Sequence, residues 1–71
     1  MNRNTRYILV TDIENYPACI NADAFMSAIQ YKRENGSMFT KLKYIKPGMT
    51  APDELKVLDS PKEIYRKLMN S

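Results

Sequence analysis

The sequence has no histidine, no tryptophan, one cysteine and two glycines. Without histidine, acid–base chemistry would fall to a carboxylate, lysine or tyrosine. The available carboxylate pairs, Asp12 with Glu14 and Asp53 with Glu54, read as ordinary charged residues at strand ends. A single thiol at Cys19 excludes an internal disulfide, and without histidine it leaves no metal-ligand set. Flanked by Ala18 and Ile20, Cys19 reads as a core residue rather than a reactive one. Gly36 and Gly48 stand apart, so no glycine-rich phosphate loop is present. The chain is therefore expected not to be an enzyme and to carry no cofactor. No run of about 18 apolar residues exists to span a membrane. Arg3 and Arg6 are not followed by the apolar segment and cleavage site of a signal peptide. A cytoplasmic location without membrane partners is the resulting expectation.

What is present must fold as one domain of 71 residues. Chains of this size bury only about 60% of their unfolded surface. With neither disulfide nor metal to add stability, assembly into a homo-oligomer is expected. The formal charge of +3 permits nucleic-acid or nucleotide binding without requiring it.

The clearest local signal lies at 60–70. Ser60 is placed as an N-cap, Glu63 completes a capping box, and Pro61 occupies the first helical position. Ile64 with Leu68, and Tyr65 with Met69, form an apolar stripe suited to packing on a sheet. Arg66 and Lys67 fall in the last turns, where the helix dipole favours cations.

The sheet is expected over 6–58, after a loose N-terminus at 1–5. Residues 6–13 are aromatic and β-branched, apolar on both faces, and read as a buried strand. A turn at 14–17 and a short strand at 18–20 follow. Two readings compete for 21–34: a helix capped by Asn21 and stopped by Gly36, or a strand entering a hairpin through Asn35-Gly36. The hairpin is preferred, with a short turn at 21–24 before it. A two-residue type I′ turn would set Arg33 opposite Met38, Tyr31 opposite Thr40 and Ile29 opposite Leu42. Ile29, Tyr31, Met38, Leu42 and Tyr44 would then share one face. Lys32, Gln30, Lys41 and Lys43 would share the other, with Phe39 among them. Residues 46–53 read as a loop and 54–58 as a last strand.

Ile20-Asn21-Ala22-Asp23-Ala24-Phe25 followed by Ala28-Ile29 is similar to an I-N-P-D-x-I-x-x-I segment. Thr40-Lys41-Leu42 resembles T-K-I, and Leu55-Lys56-Val57-Leu58-Asp59-Ser60-Pro61-Lys62-Glu63-Ile64 resembles I-x-V-x-E-S-P-E-E-I. This order resembles the small FlbD/SwrD-like proteins and related uncharacterised phage or mobile-element proteins, over residues 8–68. Ala22 replaces the family's usual proline, and the 46–53 loop is longer than its usual glycine turn. The resemblance implies a compact sheet with a helix and a small accessory role; it implies no catalytic residues.

Two candidate surfaces emerge. Lys32, Lys41, Lys43 and Lys46, with Phe39 among them, suit phosphates and a stacked base; the same lysines also suit a solvated strand face that resists edge pairing. Tyr16, Met49, Tyr65 and Met69 are more apolar surface than one small core needs, and suit a protein partner, a host protein included. The expectation is an α+β domain: a small curved antiparallel sheet of four or five strands with one C-terminal helix packed on it. Its expected role is that of a binding or assembly module, with nucleic-acid or nucleotide binding as the alternative.

Overall fold

The computed structural model describes residues 6–71, so the expected loose segment at 1–5 lies outside the described residues. The fold is α+β. Strands β1 (Tyr7–Thr11) and β2 (Pro17–Asn21) form an antiparallel pair. A 3₁₀ turn, Ala22–Ala24, leads into β3 (Phe25–Lys32), β4 (Met38–Tyr44) and β5 (Asp53–Val57), an antiparallel sheet in the order β3-β4-β5. Helix α1 (Pro61–Met69) closes the chain. The five strands thus divide into two small sheets. They are linked by a bridge between Asp12 and Val57, with Leu58 N–H donating to the Thr11 carbonyl at 2.7 Å.

Turn chemistry explains the joints. Asp12 Oδ1 accepts from the amides of Glu14 and Tyr16, both at 2.9 Å, and Asn15 takes φ +72°. Asn21 caps the 3₁₀ turn by accepting from Asp23 N–H. Pro47 and Gly48 (φ +81°) stand at the centre of a turn closed by Met49 N–H on the Lys46 carbonyl. Proline first and a positive φ second is the type II pattern.

Residues 21–34 contain no α-helix: they form the 3₁₀ turn and strand β3, as the hairpin reading requires. The register, however, differs from the expected one by a single residue. Lys32 pairs with Met38, Tyr31 with Phe39, Gln30 with Thr40, Ile29 with Lys41 and Ala28 with Leu42. The reason lies in the turn. Arg33 N–H donates to the Ser37 carbonyl, and Gly36 N–H to the Arg33 carbonyl. Only Gly36 has positive φ (+92°), whereas a type I′ turn needs it at Asn35 as well. Asn35 instead accepts from Ser37 N–H and Ser37 Oγ. The loop is thus three residues, Glu34-Asn35-Gly36, with glycine in the left-handed position. Because side chains alternate, this one-residue difference exchanges the faces of β3 relative to β4.

The core gathers Ile8, Val10, Ile20, Ala22, Leu42, Val57 and Ile64, with Thr40 buried among the polar residues. β1 buries one face only: Ile8 and Val10 point inward, while Tyr7 and Leu9 are exposed, which corrects the expectation of a strand buried on both sides. On α1, Ser60 and Glu63 form the expected capping box. Ile64 is buried and Leu68 partly so, whereas Tyr65 and Met69 are exposed. The buried stripe is thus narrower than expected. Lys67 fastens the helix end to the sheets, donating to Asp59 Oδ2 and to the Leu9 carbonyl.

Candidate nucleic-acid interface

With Leu42, Leu55 and Val57 turned inward, the odd-numbered residues of β3 from Ser27 onward, those of β4 and the even-numbered residues of β5 lie on the opposite, outer face, whereas Phe25, before the register shift, packs on the core. Tyr31 and Phe39 are directly paired across β3 and β4, their ring centroids 5.7 Å apart and their planes 20° from parallel. Three cations surround them. Lys41 Nζ lies 5.1 Å from the Tyr31 ring centre, Lys56 Nζ 5.8 Å and the Arg33 guanidinium 5.6 Å from that of Phe39. Ile29 completes the surface at 54% exposure beside Tyr31 at 41%.

Lys41 and Lys56 are cross-strand partners. Like charges placed opposite one another destabilise a sheet. Among the described residues, no carboxylate forms an ion pair with either lysine or with Arg33. The two ammonium groups lean on the aromatic rings instead. Such contacts contribute about 0.5–1 kcal/mol at exposed sites. Stacking of a nucleic-acid base on an aromatic ring contributes ~1–3 kcal/mol. A base can therefore displace a lysine from its ring and leave the ammonium for a phosphate.

The expected basic face survives in part. Phe39, Lys41 and Lys43 share it. Lys32 does not: the observed register places it with Met38 on the opposite side of the hairpin. Lys43 faces Glu54, with 4.0 Å between charged atoms, and Lys46 pairs with Asp53 at 3.1 Å. The hydrogen bond and charge of Asp53 hold the Lys46 ammonium above its ordinary pKa. Neither is a free cation. Tyr31, Arg33 and Lys56 were the members missed by sequence reasoning. Lys56 is legible from the alternation Glu54-Leu55-Lys56-Val57, and Tyr31 only once the turn at 34–36 is read as three residues.

The apolar candidates are exposed but dispersed. Tyr16 stands on the β1–β2 turn, and Tyr65 and Met69 lie on the outer side of α1. Met49 helps line a shallow groove of about 440 Å³ with Ala24, Phe25, Met26, Ile45 and Pro47. Cys19, expected in the core, is exposed opposite Leu9: the alternation of β2 turns Ala18 and Ile20 inward instead. Among the described residues, no helix is long and apolar enough to cross a membrane.

No family model matches the chain, and no match is found among curated proteins or solved structures.

Proposed function

We propose that this protein is a non-catalytic binding module whose β3-β4-β5 outer face holds single-stranded nucleic acid. One observation carries the reading: Lys41 and Lys56 stand side by side without a carboxylate, against the stacked Tyr31 and Phe39. Two unneutralised cations beside two aromatic rings match a chain that alternates phosphates with flat bases. The rings supply stacking, while Lys41, Lys56 and Arg33 supply charge. Sequence preference is weak, since stacking and phosphate contacts tolerate any base. The resemblance to small FlbD/SwrD-like and phage or mobile-element proteins agrees with a small accessory role.

Fluorescence anisotropy with a labelled single-stranded oligonucleotide tests this. Three phosphate contacts predict a slope of about −2 in log K against log salt. Binding absent at low salt, or undiminished in Lys41→Glu/Lys56→Glu, overturns it.

A second reading, a surface for a protein partner, is favoured by the exposed Met26 and Met49 around the groove described above. Methionine adapts to varied apolar partners. Met49→Asp should leave folding intact and weaken capture of such a partner; unchanged capture removes this groove from consideration.

A further inference from the structure

The outer edge of β3 is an unguarded strand edge. Arg33 N–H bonded to the Ser37 carbonyl marks a hydrogen-bonded pair. Antiparallel pairing alternates, so Tyr31–Phe39 and Ile29–Lys41 are bonded pairs too. Ala28, Gln30 and Lys32 therefore turn their N–H and C=O groups away from β4. Among the described residues, none of these groups has a backbone partner outside the β3–β4 ladder. Native proteins blunt such edges with proline, charge, bulges or short strands. β5, the other edge of this sheet, is five residues long and partly covered, the Lys56 carbonyl accepting from Ile13 N–H. β2, an edge of the two-stranded sheet, is also five residues long and begins with Pro17. β3 is eight residues long, with no proline and one charge, Lys32 at its end; its register shift lies at the far end, between Phe25 and Ser27.

The geometry points to a second copy of this chain as the occupant: two β3 strands pair antiparallel about a twofold axis at Gln30. This register sets Gln30 against its own equivalent and Ala28 against Lys32 of the second copy. Each of these pairs aligns outward-facing backbone groups and exchanges two hydrogen bonds. It also sets Ile29 beside Tyr31 of the second copy, a β-branched–aromatic pair of the stabilising kind. Charge placement supports the same arrangement. A parallel pairing would put the two Lys32 ammonium groups side by side. The antiparallel one separates their backbones by ~13 Å at about 3.3 Å per residue, beyond the ~8 Å screening length at physiological salt. Shifting the axis to Ile29 would require Met26, which lies at the register shift. The product is one six-stranded sheet with both Tyr31–Phe39 pairs on one face.

The proposal stands apart from nucleic-acid binding and is tested without any. Sedimentation equilibrium of the chain over a range of concentrations should show a reversible dimer. In a Cys19→Ser background, Gln30→Cys should cross-link to its equivalent on mild oxidation, since adjacent strands bring the Cα atoms within disulfide reach. Lys32→Cys should not. Gln30→Pro should yield a monomer, because the lost N–H points away from β4. Should that variant fail to fold, the cysteine pair still decides. A chain monomeric at every concentration overturns the proposal, as does equal cross-linking of the two cysteine variants.

Discussion

Tyr31 and Phe39 stack directly across two strands, on the solvent side of a sheet whose other side is the core. Aromatic pairs of this kind contribute ~0.5–1.5 kcal/mol beyond area burial. Tyr31→Ala loses that pair together with the burial of a ring 41% exposed, and should cost the fold about 1–2 kcal/mol. It should weaken single-strand binding by ~5–150-fold, the equivalent of one lost stacking contact. Paired denaturation and anisotropy measurements check this, and a variant that loses stability but no affinity contradicts it.

The Asp59–Lys67 contact predicts an acid limit to stability. The Asp59 side chain is 10% exposed. Burial pushes its carboxyl upward, but hydrogen bonds from Lys67 and the Thr11 amide, with the Lys67 charge, bring the pKa below its ordinary value. A depressed carboxyl pKa stabilises fully above the unfolded-state value of about 3.9, and that contribution is lost as pH falls through the folded value. Urea midpoints should fall as pH drops below about 4. Asp59→Asn should cost about 1 kcal/mol at neutral pH, because Lys67 loses its charged partner and keeps only the Leu9 carbonyl, and should flatten that acid limb. An unaltered pH profile in Asp59→Asn contradicts the assignment.

Thr40 is fully buried, and its hydroxyl has no hydrogen-bond partner among the described residues. A buried polar group left unpaired costs about 1–3 kcal/mol. Thr40→Val keeps the shape and β-branching, so thermal denaturation should show a gain of about 1 kcal/mol. A loss of similar size would mean that the hydroxyl is satisfied.

The helix makes a graded prediction. Ile64 is completely buried, and Ile64→Ala should cost ~2–5 kcal/mol. Tyr65→Ala and Met69→Ala, one position further round, should stay within about ±0.5 kcal/mol. Chemical denaturation of the three variants separates the buried side of α1 from its exposed side.

The helix shows what could be read from sequence. Ser60, Pro61 and Glu63 act through local hydrogen bonds and fixed φ, which a short window of sequence contains. The width of its buried stripe depends on how far β1 and β3 reach around it, which no local window contains. The hairpin divides in the same way. Asn35-Gly36 announces a turn, and β3 with β4 follow. Whether the loop holds two residues or three rests on Asn35 bonding Ser37 rather than adopting positive φ, a choice that both sequence patterns permit. That choice alone moves Tyr31 into the candidate site and Lys32 out of it. Lys56 enters because β5 pairs with β4, a contact made only after the 45–52 loop has turned the chain back.

Lys41 and Lys56 give the most direct test. If their adjacency is retained for an anion, relieving it should move stability and affinity in opposite directions. Lys56→Gln should raise the unfolding midpoint slightly, by ~0.2–1 kcal/mol of lost repulsion. It should also weaken oligonucleotide binding and flatten the salt slope by about 0.7, one contact's share for a single strand. That paired outcome, measured on one preparation by denaturation and anisotropy, is what the nucleic-acid face predicts. A Lys56→Gln protein that binds the oligonucleotide with unchanged affinity and unchanged salt slope would contradict it.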